Sequence, residues 1–474
     1  MPGQRWLRII PIALIMYTIS YVDRANVTLV LDPQISGMMH DLRMDDRMKG
    51  QAAGFFFLGY VLLQIPAGYL ASRWSARKII SIFLIAWGLF AFGAGFCQKF
   101  WHFGTMRFLL GVAESGVFPA TLVLLANWFP RAERARANSY WSLCQPLAIV
   151  ASVLLTGWLL ARYTWRTTMM LEGVLPFVWL PVWWFGIRDH PREAGWISAE
   201  EKQFLETTLE REAAELQIQS PTEGQSPKSK VQSPAEVHSS QSTVHGPRSE
   251  GQSPTLPGSV VSGQWSVVNS PWSVVCGLAL MVLIYFLHNC EAYGCMTFFS
   301  DSLKGHGFSA RTYGLLLAVP YAVTALLMVL NSWHSDKTGE RRGHVAAAYI
   351  LSGVSLVLAV SLKGHFWISF GLMCLAIPGP FVALGPFWAI PGETLPRNAM
   401  ALTIGLVNAL GNLGGYEGPT IVGRLKQANG GSLTIPFQVL GLGLLVAAGL
   451  SFALPRKQPA LSSAANESTG TQSL

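Results

Sequence analysis

Charge is scarce in this sequence. Of its 474 residues, 13% are Asp, Glu, Lys or Arg, about half the share usual in a soluble domain. Catalytic signatures are missing too. No GxxxxGK[ST] loop is present, so ATP-driven work has no visible engine, and neither HExxH nor GxSxG occurs. The six cysteines, Cys97, Cys144, Cys276, Cys290, Cys295 and Cys374, all fall in or beside apolar runs, without CxxC spacing. That leaves a disulfide framework or a cysteine metal site without support, and reads as small hydrophobes packed between helices. The chain is expected to be no enzyme and to need no metal or other cofactor.

What is present is apolar. Hydrophobic residues make up 51% of the chain, mean hydropathy is +0.35, and there are 17 Trp and 25 Phe. This composition suits a lipid-embedded protein with two water interfaces to occupy. The net charge of +8 is spread over short loops between apolar runs, which argues for loops on one side of a membrane and against nucleic acid.

Runs long enough to cross a bilayer, about 20 residues each, begin near Leu7, Gln51, Ile79, His102, Ser139 and Thr167. They resume near Trp272, Tyr313, His344, Trp367, Ala399 and Pro436. The expected fold is an all-α membrane protein of about twelve transmembrane helices in two six-helix bundles, because backbone groups in lipid must be satisfied within each segment. The N-terminus turns from basic to apolar without a small-residue cleavage site, and is read as an uncleaved first span.

The expected organisation is a first bundle over 1–188, a linker over 189–265, a second bundle over 266–455 and a tail over 456–474. Residues 196–216 are charged and helix-prone. Residues 217–265 are rich in Ser, Gln, Pro and Gly, with QSP at Gln219, Gln225, Gln232 and Gln252; such a stretch buries too little apolar surface to fold and reads as a tether. Basic clusters follow the second span (Arg73, Arg77, Lys78), the fourth (Arg131, Arg134, Arg136) and the eighth (Lys337, Arg341, Arg342). They place both termini, the linker and the tail in the cytoplasm. GYLASRWSARK after the second span and NSWHSDKTGERR after the eighth are alike in place and character, the mark of a duplicated six-span unit.

Four charges interrupt the apolar runs. Asp23 and Arg24 lie within the first, Arg107 and Glu114 within the fourth. A charge at the centre of a spanning helix costs about 2.5–3.5 kcal/mol on insertion scales, so such residues face a cavity or each other. Arg107 and Glu114 are two turns apart and share a face. An arginine fork suits a carboxylate ligand, and a carboxyl group in a partly dry cavity suits proton loading. The other reading is structural: Asp23–Arg24 as an ion pair with another span, and Arg107–Glu114 as a lock.

Neutral polar groups complete the set. Gln145 suits hydroxyl recognition. Asn408 and Asn412 share a face of the eleventh run, either in a binding site or in interhelical hydrogen bonds; the glycines beside them allow close packing. In the seventh run, HNCEAYG offers Asn289 and Tyr293 as cavity-lining groups and Glu291 as a second proton site, or as a residue near the outer surface. Glu172, Glu393 and Glu417, near span ends or beside Pro and Gly, read as structural or interfacial.

These motifs together resemble the major facilitator superfamily, and within it the anion:cation symporter family of organic-anion transporters. The resemblance rests on YVDRAN (21–26), GYLASRWSARK (68–78), RFLLGVAESGVFPATLVLLANWFPRAERARA (107–137), YTWRTTMMLEG (163–173), RDHPREAGWISAEEK (188–202), GPFWAIP (385–391) and GLVNALGNLGGYEGP (405–419). It covers nearly the whole chain except the QSP tether and the tail. It implies proton-coupled, alternating-access transport of a sugar acid, dicarboxylate or aromatic acid, with a lean to tartrate- or phthalate-like acids. Asp23 and Glu114 match the protonatable carboxylates and Arg24 a substrate-carboxylate position, while Arg107 joins the carboxylate network. Tyr60, Gln64, Gln145 and Asn408 match cavity-lining positions. Two places depart from the pattern: Ser72 stands where the superfamily usually has Asp, and MTFFSDSL (296–303) stands where relatives often read a Trp-Leu-Pro-like sequence. The expected partners are a small organic anion, a proton and the bilayer, with a monomer as the working unit in a bacterial inner membrane. The competing readings are an uncoupled uniporter, an exporter, and a ligand sensor signalling through the tether.

Overall fold

The computed structural model describes residues 3–219 and 271–454, apart from positions 143, 304, 305, 307, 309, 363, 395 and 396. The central QSP segment from 220 to 270 and the tail from 455 lie outside the described residues. Among the described residues the regular structure is helical. Nine of the described helices are long and apolar enough to cross a membrane, ten when one bent pair counts as a single span.

In chain order the rods are Gln4–Val30, Asp46–Arg73, Ala76–Phe96, Phe100–Trp128, the pair Arg131–Ser142 and Cys144–Leu160, and Trp165–Gly186. The second set is Pro271–Ser302, Ala310–Thr338, Arg342–Ser361, Phe366–Pro391, the pair Arg397–Gly411 and Gly414–Ala428, and Thr434–Ser451. They are called the first to twelfth spans below. The first parts of the fifth and eleventh carry polar residues, and the eleventh is interrupted by a turn at Asn412 and Leu413. Buried apolar clusters are centred separately on the first and second sets of six.

The end of the bundle that carries the N-terminus is the near end, and the opposite end is the far end. The helix Ala199–Gln219 covers part of the near end. Arg5 ties it down, donating to Glu201 at 2.6 Å and to Glu133 at 2.6 Å. Leu205 of that helix is fully buried against the first six spans, so the charged stretch after the sixth span is an amphipathic brace.

The loop after the second span is held by an unexpected residue. Ser72 bonds only within its own turn, to the Tyr69 carbonyl at 2.8 Å. Asp189, beyond the sixth span, instead accepts from Ser75 Oγ at 2.5 Å and from the Arg77 backbone N–H at 2.9 Å. The carboxylate is thus present at this corner but comes from another segment.

Two local features place the central residues. The second span bends by 42° between Leu62 and Gln64. Pro66 follows the break, and a proline there removes one backbone donor and crowds the preceding turn. The second and fourth spans touch backbone to backbone. A Cβ on Gly111 would lie 1.9 Å from the Phe56 carbonyl oxygen, and one on Gly59 would lie 2.0 Å from that of Phe108. Gly111 sits between Arg107 and Glu114, so this contact sets how far both project toward the first span. Gly111→Ala is therefore expected to lower stability by about 1–3 kcal/mol, the usual cost of overpacking. Thermal unfolding of the detergent-purified protein measures it.

Candidate functional site

The four charges of the first six spans converge. All are at least 95% buried by side-chain neighbours. Arg24 donates from Nε to Glu114 Oε2 at 2.8 Å, and Ser20 Oγ donates to the same oxygen at 2.6 Å. The other Glu114 oxygen has no hydrogen-bond partner. Arg107 reaches past Glu114 and donates to the backbone carbonyl of Asp23 at 2.9 Å. The locking pair is therefore Arg24–Glu114, and Arg107 clamps the first span.

Arg24 sits in an aromatic cage. Its guanidinium carbon lies 4.5 Å from the Tyr60 ring centre, 4.7 Å from Tyr21, 5.2 Å from Phe56 and 5.7 Å from Tyr17. Each such contact contributes about 0.5–2 kcal/mol, toward the upper end when dry.

Asp23 points the other way. Its carboxylate accepts from the Trp87 indole N–H of the third span, and Asn26 lies at 3.5 Å. Asn26 also donates to Glu172 at 2.8 Å, whose second oxygen accepts from Thr156 at 2.5 Å. Glu172 is 1% exposed and is the far member of a chain that runs from Asp23 through Asn26. Trp87, Ser20, Asn26 and Thr156 carry no charge and look like ordinary span residues in sequence. Only the acceptors they serve mark them.

The second six spans meet this centre with neutral groups. Tyr293 packs on Phe57 of the second span, ring centres 4.2 Å apart. Asn408 donates to Gln64 Oε1 at 2.8 Å, a direct bond between the halves, while Gln64 Nε2 has no partner. Asn412 turns back on Asn408, at 2.6 Å to its carbonyl and 3.2 Å to its amide oxygen. Asn289 donates to the carbonyls of Tyr285 and Gly411 at 2.9 and 3.1 Å, holding the seventh span to the eleventh. Gln145 is half-buried on the fifth span. The geometry thus gathers Asp23, Arg24, Tyr60, Arg107, Glu114 and Tyr293 in one region. Gln64, Asn408 and Asn412 form a second group across the seam.

A third charged group closes the far end. Asp301 at the end of the seventh span accepts from Lys49 of the second at 3.0 Å and from Lys426 of the eleventh at 2.6 Å. Lys426 also pairs with Asp46 at 2.7 Å. Nearby, Tyr313 donates to Asp32 at 2.7 Å. Between these ties the second and eleventh spans approach through glycine: a Cβ on Gly50 would meet the Pro419 carbonyl oxygen at 2.1 Å, and one on Gly423 that of Asp46 at 2.4 Å. The ion pairs cross between the halves, so the halves are locked together at the far end.

Among the described residues, two sets of apolar rods meet across a seam tied shut at one end, with charges buried between them. A family model described as "Major Facilitator Superfamily" matches residues 13–419. This chain belongs to the Major Facilitator Superfamily. It is a multi-pass membrane transporter and not an enzyme. It is 29% identical over 459 residues to a putative tartrate transporter of Agrobacterium vitis, covering 96% of this chain and 94% of that one. It is 26% identical over 443 residues to a probable galactarate/D-glucarate transporter of Escherichia coli, covering 89% and 87%. These relatives fall within the anion:cation branch that the sequence motifs resemble. Among solved structures, a bacterial homologue of the human lysosomal transporter Spinster, inward-facing and occupied, superimposes with a TM-score of 0.68 over 97% of this chain and 98% of that one, at 16% identity. That likeness shows the fold.

The far-end lock has a measurable consequence. Asp301→Asn leaves Lys49 and Lys426 without their shared carboxylate, and breaking a buried pair from one side costs about 3–5 kcal/mol. Spin labels at the exposed far-end positions Arg43 and His365 are expected to report longer distances in this variant than in the parent. An unchanged distance distribution would show that the lock does not hold the far end shut.

Proposed function

We propose that this transporter takes up a small organic anion together with a proton by alternating access. The two bundles, 1–188 and 266–455, move about the central site and are joined by the 189–265 linker. The working unit is the monomer in a bacterial inner membrane, with both termini in the cytoplasm. The observation that carries the reading is the Arg24–Glu114 pair, fully withdrawn from water, with one Glu114 oxygen left without a partner.

The chemistry follows from competition for one guanidinium. While Glu114 is ionised it occupies the Nε side of Arg24. A proton on Glu114 cancels that attraction and leaves Arg24 with a free positive charge in a dry aromatic cage. A carboxylate of the substrate then replaces Glu114, and total charge is restored. Asp23, hydrogen-bonded to Trp87 and flanked by the Arg107 clamp, is the second proton carrier of this half. Tyr60, Tyr293, Gln64, Gln145, Asn408 and Asn412 supply the neutral contacts that orient the rest of the anion, with Asn289 holding the seventh span in place beside them. Release on the near side follows when the proton leaves and Glu114 reclaims Arg24. Tartrate and sugar-acid carriage among the relatives supports a hydroxylated acid as the substrate class.

Uptake of L-tartrate into proteoliposomes under an imposed pH gradient tests the proposal. The parent protein is expected to accumulate the anion when the outside is acidic. Glu114→Gln and Asp23→Asn should lose the response to the gradient while retaining exchange of anion for anion. Arg24→Lys should weaken apparent affinity about tenfold, the loss of one paired hydrogen bond at roughly 1.4 kcal/mol. Accumulation that ignores the gradient in the parent protein would establish uniport instead.

A further inference from the structure

The mechanism above uses only carboxylates of the first six spans. Glu291 of the seventh span is also fully buried; no nitrogen or hydroxyl donor meets its oxygens, and the weak donor beside them is the Cys295 thiol. Glu291 and Tyr293 are about 200° apart around the helix and so face opposite ways. Tyr293 meets Phe57 of the second span; Glu291 therefore faces the interior of the second bundle.

The titratable groups around it come from three spans. Cys295 lies against it one turn on. Tyr321 of the eighth span and Tyr349 of the ninth lie close enough to feel its charge. His288, one turn back, shares a 3.2 Å hydrogen bond with the Tyr349 hydroxyl. Those lysines and arginines of this half whose side chains are described, Lys337, Arg341, Arg342, Arg424 and Lys426, sit toward span ends. An ionised carboxylate with no partner at this depth carries an effective penalty of several kcal/mol. The neutral acid does not.

The place is not arbitrary. Asp23 lies on the first span and Glu291 on the seventh, the first helix of each set of six. Asp23 turns toward Trp87 of the third span and Glu291 toward Tyr349 of the ninth, again equivalent helices. Each set of six thus buries an acid on its first helix, and in the first set arginines lie beside it.

We propose that Glu291 is a proton-binding site of the second bundle, loaded in the conformation seen here and emptied when movement of the seventh span admits water. The step is simple proton exchange. The carboxylate takes a proton from water to form the O–H bond, and water takes it back when the group is exposed. Because one conformer binds the proton in preference to the other, pH biases the equilibrium between them.

Infrared absorption of the full-length protein in phospholipid vesicles, titrated from alkaline to acidic buffer, reads protonated carboxyl groups directly. Glu291→Gln is expected to remove one carboxyl component from the titration, in the parent and equally in an Asp23→Asn, Glu114→Gln background. A Gln variant that titrates like its parent would overturn the proposal. Should Gln not fold, Glu291→Asp and Tyr349→Phe carry the test: a carboxyl component shifted in either supports it, and one unmoved in both overturns it. No transported anion is needed, so this result stands apart from the outcome of the uptake experiment.

Discussion

A charge inside a membrane protein must have a partner, and the pairing of Arg24 with Glu114 is the constraint around which the first bundle is arranged. Four aromatic rings surround the guanidinium. Ser20 steadies the carboxylate oxygen that Arg24 also uses. Arg107 fixes the backbone of the first span at Asp23. Gly111 brings the fourth span close enough for all of this to happen, because only a residue without Cβ leaves room for the Phe56 carbonyl. The same pairing that makes the fold affordable holds a reactive arrangement, since one proton is enough to dissolve it.

The two ends of the molecule use charge differently. At the far end, ion pairs join the first half to the second, so they must break for that end to open. At the near end, Arg5 joins Glu133 and Glu201. Those contacts lie within the first bundle and its brace, and need not change when the halves separate. Burial also differs: Lys49 is fully buried, while Glu133 keeps part of its surface in water. Opening the far end therefore exposes charge that was dry.

The architecture was legible because a span of about 20 apolar residues has few alternatives. Charges in those spans stood out for the same reason, so Asp23, Arg24, Arg107 and Glu114 could be read directly. Their partners could not. Helical phase places Arg107 and Glu114 on one face, but which of them reaches Arg24 depends on the rotation and spacing of the first and fourth spans. Glu172 reads in sequence only as structural or interfacial; Asn26 and Thr156, which satisfy it, come from two other spans. Asp46 and Lys49 are opposite charges three residues apart in the sequence. Their partners, Asp301 and Lys426, lie in the other half of the chain, beyond the reach of local pattern.

The hydrogen bond from Trp87 to Asp23 gives the protein a built-in optical probe. An indole whose N–H is bound to a carboxylate responds to that carboxylate's charge, because its excited state is sensitive to the local electric field. Trp87 is fully buried and lies beside Asp23 rather than in the lipid-facing belt. Its emission, isolated by difference against a Trp87→Phe protein, would follow the electrical state of the site in real time without any added label. A residue placed by packing thus makes the site readable from outside.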